Sequence, residues 1–181
     1  MPILETERLL LRELALTDDG FILDLLNQPS FIRFIGDKGV RTLADARRYL
    51  ETGPLASYQR FGFGLQLTLL KASQLPIGIC GLVKRETLPD PDLGFAFLPQ
   101  YWGQGYASEA ASAALADGRQ RLGLERFLGI TLLDNFASAR VLEKVGLQFQ
   151  QQVRLEATGP ELKLFAVGPE PRSLPAKPQT D

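Results

Sequence analysis

The chain has 181 residues, of which 45% are hydrophobic and 23% charged, a composition that suits one globular domain with a single sizeable core. Lys and Arg number 20 and Asp and Glu 21, so the net charge of -1 provides no general attraction to nucleic acid or to an anionic membrane. Histidine is absent and Cys80 is the one cysteine, which excludes Ser-His-Asp catalysis, Cys-His catalysis and a cysteine metal cluster.

The amino-terminal stretch MPILETERLLLREL has charged residues among its leucines, and no stretch reaches the roughly 18 apolar residues of a membrane span. We therefore expect a cytoplasmic protein, either monomer or homodimer, with no nucleic-acid or membrane partner. We expect a single domain over residues 1–168 and a flexible proline-rich tail over residues 169–181. The apolar neighbours of Cys80 indicate a buried structural thiol.

The first elements are predicted from hydrophobic spacing and capping residues. Leu9 to Leu14 is typical of a strand, and Thr17 is suited to cap a helix whose apolar residues follow helical spacing. Thr42 and Asp45 resemble a capping box, which predicts a second helix after them.

The middle of the chain is predicted to form three antiparallel strands. From Phe61 to Leu69, hydrophobic residues alternate with glycine, glutamine and threonine, which is the period of a strand. The segments IGICGLVKR and LGFAFLP follow as further strands, separated by the turn KASQLP and the proline-bearing loop ETLPDPD. We expect these three strands to form a meander.

The carboxyl-terminal half alternates helices and strands. Alanines between Gly103 and Leu122 favour a long helix, RFLGITLL a strand, and NFASARVLEKVG a short helix ended by Gly146. The segments LQFQQQVRL and LKLFAVG are predicted as closing strands. The fold class is therefore α/β (α+β), with a mixed and mostly antiparallel sheet flanked by helices.

Residues 99–111, PQYWGQGYASEAA, place Gly103 and Gly105 between a strand and a helix. The first turn of a helix has unpaired N–H groups and partial positive charge, and glycines let a bulky anion approach them. A tight turn without a ligand explains the glycines equally well. A Rossmann fingerprint would need a third glycine where Ser108 stands, and a Walker loop would need Gly-Lys-Ser/Thr, so neither motif fits.

The pattern Gln100-x-x-Gly103-x-Gly105, followed by DNFASARVLEKVGL, resembles the Gcn5-related N-acetyltransferase (GNAT) family. The segments LETERLLLREL, DLGFAFLPQYWGQGYASEA and NFASARVLEKVGL resemble more narrowly the branch that includes the ribosomal-protein amino-terminal acetyltransferases. The resemblance implies the GNAT fold, with a sheet that is split at the cofactor site. It also implies acetyl-CoA as co-substrate and no metal.

The resemblance also implies which residues bind the cofactor. One loop is implied to hold the pyrophosphate of acetyl-CoA, and its residues are Gln100, Gly103, Gln104, Gly105, Tyr106, Ala107 and Ser108. The backbone of Phe95, Ala96 and Phe97 is implied to pair with the pantetheine arm in the manner of an added strand. Asn135 is implied to hydrogen-bond the pantetheine, but from the residues alone it equally suits a helix N-cap.

The resemblance places Ser138 near the sulfur, as general acid or hydrogen-bond donor to the leaving thiolate, although the residue also suits a helix first turn. Because histidine is absent, the base is a carboxylate, a water chain or solvent. The resemblance makes Asp92 and Glu86 the candidate carboxylates, and both also suit solvated loop positions. We take Asp92 and Ser138 as the catalytic residues. Three arginines that suit solvated positions are left outside the site: Arg119, Arg121 and Arg126.

The predicted function is transfer of an acetyl group from acetyl-CoA to a primary amine by direct attack. The acceptor is a protein amino terminus, an amino acid or another small amine. A non-catalytic acyl-CoA sensor and a polyamine or aminoglycoside acetyltransferase remain alternatives. The resemblance implies that Phe31 to Gly39 and the loop ETLPDPD line the acceptor end of the cleft. Their charges are of both signs, which favours a mono-amine over polycations.

Overall fold

The computed structural model describes residues 3–169, so the tail expected over residues 169–181 lies outside the described residues except for Pro169. The helices are α1 (Asp19–Leu26), α2 (Pro29–Phe34), α3 (Leu43–Leu50), α4 (Ala56–Phe61), α5 (Tyr106–Leu122) and α6 (Phe136–Lys144). The strands are β1 (Leu4–Glu5), β2 (Leu9–Glu13), β3 (Leu65–Leu70), β4 (Pro76–Val83), β5 (Asp92–Phe97), β6 (Phe127–Leu132), β7 (Gln148–Val153) and β8 (Leu162–Val167). Short 3₁₀ turns precede α1 and α5, and a π-helical turn joins α3 to α4.

All eight strands belong to one sheet in the order β1-β2-β3-β4-β5-β6-β8-β7. Every neighbouring pair is antiparallel except β5 and β6, which are parallel. The predicted meander of β3, β4 and β5 is confirmed, as is the mixed, mostly antiparallel α/β class.

Helices cover both faces of the sheet, and each face has its own core. On one face α5 and α6 pack on side chains that include Leu11, Phe127 and Phe165. On the other face α1, α2 and α3 pack on β3 and β4 around Leu67 and Ile79. The strands therefore lie between two helical layers.

The strand predicted from Phe61 begins only at Leu65. Phe61 ends α4, and Gly62 follows it in the left-handed conformation (φ +73°) and donates its N–H to Tyr58. Gln66 and Thr68, on the polar face of the strand, are both buried. The alternating period identified the strand but contained no signal that both of its faces are covered.

The two predicted helix starts had different outcomes. The capping box is confirmed, since Thr42 Oγ1 accepts from the Asp45 N–H and Asp45 Oδ2 accepts from the Thr42 N–H. Thr17 does not cap α1 but lies in a 3₁₀ turn, and the Asp18 carboxylate accepts from the Ala15 N–H at its start. α1 therefore begins without a side-chain cap, and the bond to Asp18 belongs to the 3₁₀ turn that precedes it.

Cys80 lies in β4, between β3 and β5, and its side chain is fully buried. Burial raises the pKa of its thiol to about 12, so almost no thiolate exists at neutral pH. Within residues 3–169, no helix combines the length and the apolar character needed to cross a membrane.

Candidate active site

A split in the sheet forms the centre of the site. The parallel strands β5 and β6 pair at one position, Asp92 with Leu128, where the Leu128 N–H donates to the Pro91 carbonyl at 2.9 Å. Beyond that pair the strands separate, and residues from both line a cavity of about 830 Å³. A cavity of this volume is within the usual range of ligand sites.

The backbone of β5 faces the split at alternate residues. The Leu98 N–H donates to Ile77 of β4, so the antiparallel period directs the Ala96 N–H to β4 as well. The groups of Phe95 and Phe97 are left on the side of the split. Of the three residues expected to pair with a pantetheine arm, two therefore present their backbone to the cavity and Ala96 contributes to its wall.

Trp102 closes the end of β5 on the cavity side. Its indole Nε1 donates to the Phe97 carbonyl at 2.8 Å, while about half of the residue remains exposed. The sequence analysis gave this residue no role. Its position in PQYWGQG, next to the glycine pair, was the one available signal.

The glycine loop leads into α5 without a side-chain cap. Gly103 and Gly105 have φ values of +73° and +83°, a conformation that favours glycine, and Gly105 is the N-cap of α5. The first bonded amide of the helix is that of Glu109, which donates to the Gly105 carbonyl. The amides of residues 106–108 are thus free of helical partners and available to an anion.

The cavity includes some of the predicted loop residues and leaves out others. Its lining contains Gly103, Gly105, Tyr106, Ala107 and Ser108. Gln100 and Gln104 lie outside it and bond to each other, through Gln104 Nε2 and the Gln100 carbonyl at 3.1 Å. These two glutamines shape the turn rather than the wall of the cavity.

Arg8 and Glu109 hold this loop from the amino-terminal segment. Arg8 Nε donates to Glu109 Oε2 at 2.7 Å, Arg8 Nη1 donates to the Gln104 carbonyl at 3.0 Å, and the guanidinium lies 4.4 Å from the Tyr106 ring centroid. Thr6 Oγ1 also donates to Glu109, at 2.6 Å. The sequence analysis missed this arrangement, because the partners are about 100 residues apart.

Asn135 and Ser138 stand together at the start of α6. Asn135 Oδ1 accepts from the Ser138 N–H at 3.1 Å, so Asn135 is the N-cap of the helix. The Asn135 Nδ2 amide has no hydrogen bond within residues 3–169, and both residues line the cavity. The cap and a contact to a ligand are therefore compatible, since they use different atoms of one side chain.

Thr131 of β6 lines the same cavity and was also missed. Its side chain is 6% exposed, and its Oγ1 has no hydrogen-bond partner within residues 3–169. A buried hydroxyl without a partner is unfavourable, and one that lines a cavity is suited to a polar ligand atom. No local pattern in RFLGITLL distinguishes this threonine from an ordinary strand residue.

Asp92 is the first residue of β5 and is 1% exposed, although it lines the cavity. Arg85 Nε donates to both of its carboxylate oxygens, at 3.0 and 3.2 Å. Burial raises the pKa of Asp92, and the charge and hydrogen bonds of Arg85 oppose that rise without cancelling it. Glu86, the other candidate base, is exposed and does not line the cavity.

The acceptor end of the cavity differs from the expected mixture of charges. Phe31, Phe34, Ile35 and Lys38 line it as predicted, but the loop ETLPDPD contributes only Asp92. Two charged residues of the predicted segments are paired elsewhere: Asp90 lies 3.3 Å from Arg126, and Arg33 lies 3.0 Å from Asp134. The expectation of balanced charge was wrong, because the acidic loop residues turn away from the cavity.

The charged residues that do line the cavity are mostly cationic. Within residues 3–169 its only carboxylate is Asp92, and its cations are Lys38, Arg60, Lys84, Arg85 and Arg140. The three arginines left outside the site do not line it: Arg119 lies over the Phe127 ring, Arg121 pairs with Asp117, and Arg126 pairs with Asp90. No group of His, Cys, Asp and Glu side chains in the described chain could hold a metal ion.

Comparisons with known proteins agree with this geometry. The family model described as "Acetyltransferase (GNAT) domain" matches residues 8–148. The uncharacterized N-acetyltransferase YoaA of Bacillus subtilis (strain 168) is 28% identical over 155 residues, which cover 84% of this chain and 86% of that protein. An acetyltransferase of Agrobacterium tumefaciens str. C58 superposes with a TM-score of 0.79 at 27% identity, over 93% of this chain and 95% of the other.

The fold is also similar to that of RimL, a ribosomal L7/L12 alpha-N-protein acetyltransferase solved with coenzyme A, at a TM-score of 0.78 and 17% identity, over 92% of this chain and 98% of that one. The family match covers most of the chain, from the loop-holding Arg8 through the split strands to the end of α6. The chain therefore belongs to the GNAT acetyltransferase family.

Proposed function

We propose that this protein transfers the acetyl group of acetyl-CoA to a primary amine. The observation that carries the proposal is the split between β5 and β6, which leads to the uncapped first turn of α5. Such a cleft offers strand-like backbone to an amide-bearing arm and free N–H groups to a pyrophosphate. That the related RimL was solved with coenzyme A supports the same assignment.

The pyrophosphate and the pantetheine arm of acetyl-CoA each have chemically suited partners in the cleft. The amides of Tyr106, Ala107 and Ser108 would hold the pyrophosphate. The Phe95 backbone, the Asn135 Nδ2 amide and the orphaned Thr131 Oγ1 would hold the amides of the pantetheine arm. The fit rests on polar groups that the fold leaves without partners.

When bound, acetyl-CoA supplies an acetyl thioester: the amine nitrogen forms the new N–C bond, the C–S bond breaks, and the amine loses one proton as the thiolate leaves. Asp92 would take that proton, directly or through water, because burial raises its pKa towards the working range of a base. The Ser138 hydroxyl would hydrogen-bond the developing thiolate. We expect Ser138→Ala to lower kcat and to leave the dissociation constant of acetyl-CoA unchanged, because the contact forms in the transition state.

The test is thiol release from acetyl-CoA with a panel of amines, with acetylated products identified by mass spectrometry. The panel contains amino acids, peptides, spermidine and kanamycin, and the control omits the amine. We expect release that depends on a mono-amine, because a cationic lining disfavours polycations. Saturable acetyl-CoA binding without release for any amine would instead support a non-catalytic sensor. A specificity constant for spermidine or kanamycin more than tenfold above every mono-amine would support the polycation alternative.

A further inference from the structure

Three side chains at the acceptor end of the cavity carry polar groups that the protein itself does not use. Arg85 donates through Nε to Asp92, and its Nη atoms make no hydrogen bond within residues 3–169. Lys38 forms no ion pair and Tyr49 Oη no hydrogen bond in that same range, and both line the cavity with Arg85. The Lys38 ammonium, the Tyr49 hydroxyl and the Arg85 guanidinium are hereafter the cationic cluster.

Arg85 lies within electrostatic reach of the other two members of the cationic cluster. Partial burial and the positive charge of Arg85 lower the pKa of Lys38. Burial raises the pKa of Tyr49, and the charge of Arg85 opposes that rise. Asp92, the one carboxylate of the cavity lining within residues 3–169, is already paired with Arg85. Lys38 and Arg85 therefore repel each other, and an added negative group between them would relieve that repulsion.

We propose that the acceptor is a small amino acid whose own carboxylate binds to the cationic cluster while its amine faces the acetyl group. This proposal rests on the proposed acetyltransferase function. A guanidinium with free Nη atoms, an ammonium and a phenol are the donors that bind a carboxylate well. The cluster thereby determines specificity, because it recognises a group that does not react.

The link between Arg85 and Asp92 favours an α-amino acid over a longer molecule. Arg85 Nε holds the candidate base, and the Nη atoms are bonded to the same carbon as Nε. A carboxylate on those atoms therefore lies within a few ångströms of Asp92. An amine served by Asp92 and a carboxylate held by Arg85 must then be close neighbours in one molecule, as they are in an α-amino acid.

The neighbouring wall indicates the side chain. Phe31, Phe34, Ile35 and Leu25 line the same end of the cavity and present aromatic and aliphatic surface. Such a wall favours an apolar side chain such as that of leucine, phenylalanine or methionine. A polar or cationic side chain would lose hydration there without gaining a partner.

The decisive test measures product binding, so it does not depend on turnover. Calorimetry would compare the affinities of N-acetyl-L-leucine and N-acetyl-L-leucinamide. The two compounds differ only in that an amide replaces the carboxylate, and neither has an ionisable amine. The same comparison would be made for the phenylalanine and methionine derivatives. We expect at least one acid to bind at least tenfold more tightly than its amide. In Lys38→Gln that ratio should fall below about threefold, and Tyr49→Phe should lower it by a smaller factor, since each removes one donor.

Lys144→Gln is the matched control, because it removes the same charge as Lys38→Gln. Lys144 is exposed on α6 and lies outside the cavity. It should leave the ratio at its original value. Equal affinity for acid and amide in all three pairs, or a ratio that Lys38→Gln leaves intact, would overturn the carboxylate site.

The kinetic experiment separates this proposal from the proposed function. Transfer to leucine and leucinamide with equal kcat/KM, once corrected for amine ionisation, would overturn the carboxylate site and leave acetyl transfer standing. Absence of transfer to every amine would overturn the proposed function, while the binding ratio still decides whether the cavity recognises a carboxylate.

Discussion

The Asp92 carboxylate is subject to two opposing influences. Burial at the apex of the split disfavours its charge, and Arg85 restores part of what burial removes. The balance leaves its pKa above the ordinary carboxyl value, which is about 3.9 for an exposed aspartate. A carboxylate with a raised pKa is a better proton acceptor than an exposed one, so burial contributes to the chemistry.

A pH profile tests this role of Asp92. The base acts only when deprotonated, so kcat should fall as the pH decreases through the raised pKa of Asp92. Asp92→Asn should lower kcat by about 10² or more and remove that acidic limb. Steady-state kinetics from pH 5 to 9 would measure both effects. If Glu86→Gln removes the limb and Asp92→Asn does not, the base is Glu86.

Asn135 provides a second prediction at this scale, because two substitutions separate its two roles. Asn135→Asp keeps the oxygen that caps α6 and lacks the amide donor, so thermal stability should be retained while acetyl-CoA binding weakens several-fold. Asn135→Ala should also cost about 1 kcal/mol of stability, since the cap is lost. Thermal unfolding and calorimetry on both variants would measure this. Unchanged acetyl-CoA affinity in Asn135→Asp would assign the residue to capping alone.

Elements with local signals were predictable from the sequence, and contacts between distant elements were not. The Thr42 capping box, the end of α6 before Gly146 and the three-stranded meander each have signals within a few residues. The start of β3 was misplaced, because Phe61 belongs to α4 and yet continues the alternation of the strand. In the site, the glycine loop and Asn135 were identified from motifs. Arg8 was missed because its partners are about 100 residues away in the sequence. Thr131 was missed because only the folded structure shows that its buried hydroxyl has no partner within residues 3–169.

Thr6 and Arg8, which lie between β1 and β2, connect the amino-terminal segment to the glycine loop and the first turn of α5. We therefore expect this segment to contribute to cofactor binding. We expect Arg8→Gln to weaken acetyl-CoA binding by about tenfold, because the Gln104 carbonyl and the Tyr106 ring lose the group that fixes them. Calorimetry would measure the change. Arg47→Gln, which breaks an exposed pair with Asp19, is the control. Equal affinity in Arg8→Gln and the parent protein would show that the loop holds its conformation unaided.

The contacts of Glu109 with Thr6 and Arg8 make the stability of this region depend on pH. Burial opposes ionisation of Glu109, but hydrogen bonds from Thr6 and Arg8 outweigh it and lower its pKa. A lowered carboxyl pKa stabilises the folded protein above the unfolded value, and that contribution disappears as the pH falls. The loop should therefore loosen under acidic conditions.

Over the whole molecule, the sheet consists of two parts, β1 to β5 and β6 to β8, that join at one strand pair. A ligand in the split would connect these parts, and a ligand that binds only the folded state stabilises it. At 100 times its dissociation constant, coenzyme A should add about 2.7 kcal/mol to the free energy of unfolding. For a chain of this size we expect a rise in Tm of roughly 5–10 °C.

Thermal unfolding with increasing coenzyme A would measure this rise, with ATP at equal concentrations as the control. A shift of equal size with ATP would mean that the cleft recognises phosphate charge and not the pantetheine arm. No shift at concentrations where calorimetry reports saturation would contradict binding to the folded state alone.

The position of Cys80 makes the folded protein unreactive towards thiol reagents. Its thiol lies in β4 with helices on both faces of the sheet, so a disulfide reagent reaches it only after the two layers separate. Colour from such a reagent in an acetyl-transfer assay therefore reports released coenzyme A without a background from the enzyme. In the absence of acetyl-CoA, the slow modification of Cys80 measures how often the whole domain opens. For the same reason, a cysteine introduced at an exposed position would be the single site that a fluorescent or spin label modifies in the folded protein.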